Sequence, residues 1–102
     1  MSDKVNIEEV ELSKLYEAKR INLGLEHPET INMMFKLAYY HQRHHNNIKA
    51  FELYNKMYEL RKKKFTENHI DTINSMFNLA NIYIRLGKIS KGNRIIQCIK
   101  HQ

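Results

Sequence analysis

Apolar residues recur along this chain at intervals of three and four, with polar residues between them. Ile31, Met34, Leu37, Ala38 and His41 form one such stripe, and Ala50, Leu53, Tyr54, Met57 and Leu60 form a second. Ile73, Met76, Leu79, Ala80 and Tyr83 form a third, and a final one runs through Ile89, Ile95, Ile96 and Ile99. Val10, Leu12, Leu15 and Tyr16 mark an opening helix before all of these. This spacing returns to one side of an α-helix at each turn, so each stripe predicts a helix with a single apolar face. Pro28 suits the first turn of the second helix, where a missing N–H costs little. Asn46-Asn47 ends that pattern, and Gly87 does the same one period later by taking backbone angles that other residues resist.

The stripes belong to an internal repeat. His27, Thr30, Ile31, Asn32, Met34, Phe35, Leu37, Ala38 and Arg43 return as His69, Thr72, Ile73, Asn74, Met76, Phe77, Leu79, Ala80 and Arg85, each 42 residues on. Lys14, Tyr16 and Glu17 return at the same spacing as Lys56, Tyr58 and Glu59. A fixed period of this size is the signature of stacked helical units, each too small to bury its apolar face alone. Small residues also recur where two helices must approach closely: Ala38 matches Ala80, and Ala50 matches Gly92. The expected organisation is a single domain over the whole chain, with an opening helix at about 5–20 and repeats at about 28–64 and 70–101.

Composition narrows the picture. One Pro and three Gly in 102 residues suit long helices and leave too few turn formers for a sandwich or barrel. Every apolar run is short and broken by polar residues, which excludes membrane insertion. The N-terminal stretch has no signal-peptide pattern, and the lone Cys98 excludes an internal disulfide, so a reducing, cytoplasmic setting is expected. A formal net charge of +6 and a pI near 9.5 favour acidic partners. Four of the positive residues lie together as Arg61-Lys62-Lys63-Lys64, which reads as a solvated helix end favoured by the helix dipole.

These residues resemble tetratricopeptide repeats, in particular the long repeats of kinesin light chains. The family's linker and first helix, L-G-x-x-H-P-x-T followed by N-L-A-x-x-Y, are matched by Leu23-Gly24-Leu25-Glu26-His27-Pro28-Glu29-Thr30 and then Lys36-Leu37-Ala38. The second copy matches at His69, Asp71 and Thr72, at Asn78-Leu79-Ala80-Asn81-Ile82-Tyr83, and at Leu86-Gly87-Lys88. Ala50-Phe51-Glu52-Leu53-Tyr54 matches the family's A-x-x-L-Y segment. Ile70 replaces the usual Pro, and His45 replaces the usual Gly of the first hairpin turn. The resemblance implies an all-α fold: helical hairpins stacked as a short right-handed solenoid of about five helices, the first helix of each pair lining a concave groove.

With Leu37, Ala38 and His41 assigned to packing, the resemblance places Asn32, Lys36, Tyr39 and Arg43 toward that groove. The matching set is Asn74, Asn78, Asn81 and Arg85. An Asn amide both donates and accepts, so it can pair with the backbone of an extended peptide, while Lys and Arg offer charged donors to carboxylates. The expected function is therefore non-catalytic: an adaptor or scaffold module holding a protein or peptide segment, acidic or extended, or one part of a larger repeat array. About five helices lie near the lower limit for a stable stack. Ile95, Ile96 and Ile99 are expected to expose an apolar face on the last helix, through which a second copy or a further repeat would pack.

Other chemistry finds little support. His41 and His45 stand four apart in His41-Gln42-Arg43-His44-His45, a spacing that would put both on one helix face, but no Cys or carboxylate cluster completes a metal site. His27 and His69 belong to the linker motif and read as structural. Cys98 lies among isoleucines and reads as a small apolar packer. No nucleophile–base set, paired acids or phosphate-cradling glycine loop is present, so neither an enzyme nor a cofactor is expected. The rival reading is a basic helical protein that binds nucleic acid through the Arg61–Lys64 run, although Tyr54 and Tyr58 follow the core spacing instead of a stacking one.

Overall fold

A computed structural model describes residues 6–100. Five helices follow one another: α1 (Asn6–Leu23), α2 (Pro28–Arg43), α3 (Asn47–Lys64), α4 (Ile70–Arg85) and α5 (Ile89–Lys100). The described residues contain no strand. Helix α1 runs three residues beyond the sequence expectation of about 20, ending where Gly24 takes φ of 95°.

The helix starts are encoded locally and twice over. Nδ1 of His27 accepts the Glu29 N–H at 3.1 Å, and Nδ1 of His69 accepts the Asp71 N–H at the same distance. Both histidines sit at the N-cap in nearly identical extended conformations, φ −67° and ψ 139° against φ −68° and ψ 141°. Glu29 and Asp71 then place a negative charge against the positive end of each helix dipole. Because this cap needs only the histidine ring and a free N–H two residues on, Ile70 serves in the position of Pro28 without changing the geometry. Asn46 caps α3 by accepting from the Lys49 N–H at 3.4 Å.

The hairpin turns also correspond. Gly87 has φ of 84°, and its equivalent His45 adopts φ of 61°, in the left-handed region. The first turn thus keeps the backbone shape of the second while carrying a side chain that resists it.

Each helix packs against its neighbours in sequence, and the whole measures about 44 × 32 × 14 Å. A single continuous core runs through the three central helices: Ile31, Met34 and Ala38 of α2, Ala50, Tyr54 and Met57 of α3, and Leu79 and Ile82 of α4. Tyr16 of α1 and Ile95 of α5 lean on it from either side. Such stacking, in which each helix packs chiefly on its neighbours in sequence, is a helical-repeat solenoid.

Two expectations about α5 need correction. Ile95, Ile96 and Ile99 are half-buried, Ile95 against the core, and so less exposed than the stripe suggested. Cys98 is exposed and packs nothing. The helix comes close to α4 because Gly92 has no side chain: a Cβ there would lie 2.6 Å from Ile84 Cγ1 and 2.9 Å from the Ala80 carbonyl oxygen.

Candidate functional site

The buried residues of α2 leave one exposed strip, Asn32, Lys36, Tyr39 and Arg43, at the spacing that keeps side chains on one helix face. On α4 the matching strip is Asn74, Asn78, Asn81 and Arg85, all exposed except the half-buried Asn78. Neither strip carries a carboxylate.

A cleft of about 370 Å³ opens between the N-terminal halves of these helices. It brings Asn32, Asn74 and Asn78 together with Phe35, Phe77, Met57 and Arg61. Lys36, Tyr39, Arg43, Asn81 and Arg85 do not line this cleft. They continue the strips toward the helix C-termini. There the Phe35 and Tyr39 rings stack at 6.0 Å, and the Arg43 guanidinium lies 5.8 Å from the Tyr39 ring centre. Behind them, burial pushes the Tyr54 phenol up to about 12, with Tyr39 adding to the shift and the Arg85 charge opposing it. Tyr39 and Arg85, from different helices, thus both act on the same hydroxyl.

Four cleft residues escaped the sequence reading. Phe35 and Phe77 had a signal, since they are an identical pair in the repeat, yet Phe77 remains 45% exposed at the cleft mouth. Met57 was read correctly as core and forms the buried floor. Arg61 was hidden in the basic run. Its Nη1 donates to Ser75 Oγ at 2.9 Å and to the Asp71 carbonyl at 3.4 Å, which turns the guanidinium inward against α4. The Thr72 hydroxyl donates to the Arg61 carbonyl at 3.4 Å and ties the same helix ends together.

The rest of the basic run stays on the surface. Lys62 faces Glu67 at 3.9 Å, Lys63 pairs with Glu26 at 3.2 Å, and Lys64 lies over the Phe65 ring. By contrast, Lys36, Arg43 and Arg85 enter no ion pair among the described residues. The strips therefore present uncompensated positive charge along a line of amides.

The histidine run is dispersed by the helix end. His41 is buried, where desolvation holds its ring below the usual histidine range, while His45 lies beyond the end of α2. The helical face that their spacing suggested does not exist, because His45 is in the left-handed turn. Among the described residues, no group of three or more His, Cys, Asp and Glu side chains could hold a metal ion.

A model of the tetratricopeptide repeat family matches residues 29–91, more than half of the chain, from the first turn of α2 into the first turn of α5. The chain belongs to the tetratricopeptide repeat family. A search of curated proteins returns no match to it. Tetratricopeptide repeats generally mediate protein–protein interactions and are typically non-catalytic, so protein partners follow from the family. No helix among the described residues is long and apolar enough to cross a membrane.

Proposed function

We propose that this tetratricopeptide domain holds an extended, acidic peptide segment along the α2 and α4 strips, as a non-catalytic cytoplasmic adaptor or as one section of a longer repeat array of the kinesin-light-chain type. The observation that carries this reading is the charge pattern. Lys36, Arg43 and Arg85 have no internal counter-ion, and the strips and cleft contain no carboxylate. Three amides beside them, Asn32, Asn74 and Asn78, can each donate to and accept from a peptide backbone. Phe77 and Phe35 add an apolar wall suited to one large side chain of the bound segment. The 42-residue period supports the long-repeat assignment, and the single cysteine suits a reducing compartment.

The basic run gives the nucleic-acid reading no comparable support, because Arg61 is committed to α4 and two of its lysines face carboxylates. The test is calorimetry with Glu- and Asp-rich decapeptides, each containing one aromatic residue. Asn78→Ala combined with Arg85→Ala should weaken binding at least tenfold while leaving helicity intact, since two polar contacts would be lost from a small interface. Equal affinity of the double variant and the parent would remove these strips from the site.

A further inference from the structure

The seam between α1 and α2 is built from different chemistry than its repeat, the seam between α3 and α4. In the later seam Tyr83 packs on the Phe51 ring at 5.1 Å, and the Lys91 ammonium lies 5.4 Å from the centre of the Tyr83 ring. The 42-residue period equates these three with His41, Glu9 and Lys49. An aromatic pair beneath a cation is thus replaced by an imidazole, a carboxylate and a cation. Glu9 of α1 reaches Lys49 of α3 at 3.8 Å, and His41 between their charges is only 5% exposed.

The opposite end of the same seam is weakened too. In the later seam the Thr72 hydroxyl donates to the Arg61 carbonyl, while the Arg61 guanidinium donates to Ser75 and to the Asp71 carbonyl. One period earlier Lys19 stands for Arg61 and Met33 for Ser75. The fully buried Thr30 hydroxyl, the counterpart of Thr72, has no hydrogen-bond partner among the described residues, which is a cost of docking. The Lys19–Glu29 pair at 2.7 Å joins the helices there, but both side chains are exposed to water, where such a pair holds little.

The charged groups facing His41 are Glu9 from α1 and Lys49 from α3, with His44 on its own helix. The neighbouring Tyr40 feels Glu9 and Glu8 as well. A proton on His41 would make a second cation compete with Lys49 for one carboxylate, in a place that water barely reaches. Burial therefore holds the imidazole below the ordinary histidine value, helped by Lys49 and His44 and opposed by Glu9. Stability from such a group is fully present above its ordinary value of 6.5 and is lost as pH falls through the lowered one. We propose that His41 makes α1 an acid-released helix, whose docking on α2 is undone by protonation while α2 to α5 stay stacked. The proposal does not depend on peptide binding along the strips.

Amide hydrogen exchange on the whole chain at about pH 7.5 and about pH 5, corrected for the intrinsic pH dependence of exchange, provides the test. In the parent, acid should lower protection across α1 by roughly tenfold or more relative to α3. His41→Tyr, which installs the residue of the later repeat, should keep α1 protected at the lower pH. His41→Gln, uncharged and close to an imidazole in size, should do the same. His27→Asn is the control, because a proton on His27 Nδ1 would break its cap on α2, whereas Asn caps a helix without titrating. This variant should keep the acid response of the parent. Equal protection of α1 at both pH values in the parent would overturn the proposal. So would a loss shared equally by all helices, a response that persists in both His41 variants, or one that disappears in His27→Asn.

Discussion

The hydroxyl of Tyr54 on α3 donates a 2.8 Å hydrogen bond to Oε1 of Gln42 in the last turn of α2. The Tyr54 side chain is otherwise fully packed in the core, so this bond satisfies the one polar atom that a large aromatic residue brings inside. It also fixes the distance between the two helices of the first complete hairpin, at the end of the strip where Arg43 and Tyr39 stand.

That environment makes stability fall at alkaline pH. Burial raises the Tyr54 phenol from its ordinary value of 10.0 to about 12 in the folded state. Its contribution is therefore fully present below pH 10 and is lost as pH rises through about 12, on the order of 2 kcal/mol across that window. Tyr16 and Tyr40 are also raised, chiefly by desolvation, and act in the same direction. Urea unfolding of Tyr54→Phe should show a loss of about 1 kcal/mol at neutral pH from the missing hydrogen bond, and a shallower decline than the parent above pH 10. Parallel pH profiles for the two proteins would rule out Tyr54 as the titrating group.

His45 carries a conformational cost that its counterpart Gly87 avoids. A residue with a Cβ in the left-handed region costs roughly 1–2 kcal/mol, part of which a glycine returns through the greater freedom of the unfolded chain. His45→Gly should stabilise the protein by about 1 kcal/mol, which for a domain of this size raises the melting temperature by roughly 4–8 °C. The reverse change, Gly87→His, should destabilise by a similar amount. A melting temperature that does not rise in His45→Gly would mean that the exposed imidazole makes a compensating contact.

Gly92 should resist a substitution that helix propensity alone would favour. Alanine is better than glycine in a helix interior by about 1 kcal/mol. Here the added Cβ would meet Ile84 Cγ1 at 2.6 Å, held by a χ1 that a helix restricts, and the Ala80 carbonyl oxygen at 2.9 Å, which is fixed in the backbone. Overpacking of this kind costs about 1–3 kcal/mol, so Gly92→Ala should be destabilising by about 1–2 kcal/mol in thermal melts. The equivalent Ala50 carries its methyl fully buried in the core, so the constraint is particular to Gly92.

Much of the fold was legible because the information lies within a turn or two of each residue. The three-and-four spacing marked the apolar faces, Pro28 marked the first turn of α2, and Asn46-Asn47 marked the break after it, whereas the capping by His27, His69 and Asn46 emerged from the structure. The strip residues Asn32, Lys36, Tyr39 and Arg43 were named by the family resemblance, and in the structure all four are exposed on α2. Their use as a peptide groove came from family resemblance and is a matter for the binding experiment.

The cleft was less legible. Arg61 reads as one of four cations at a helix end, and nothing nearby in sequence says that Ser75, fourteen residues on, will accept a hydrogen bond from it. Phe77 shows in the sequence only as the repeat partner of Phe35, and nothing in that match places it at the cleft mouth. The isoleucines of α5 were assigned to an outer face because periodicity locates an apolar side without saying which neighbour covers it. In the structure they are half-buried, and α5 approaches α4 too closely at Gly92 to admit a Cβ there.

The sequence by itself determined the 42-residue period, the order of the helices, the breaks between them and the side of each helix that avoids water. These depend on backbone hydrogen bonds and on side chains within about one turn of each other. Only the tertiary structure decided that Arg61 walls a cleft, that Cys98 is exposed, and that Phe77 stands at the cleft mouth. Those outcomes depend on which helix lies across from which, and so on residues tens of positions apart whose contacts no local pattern encodes.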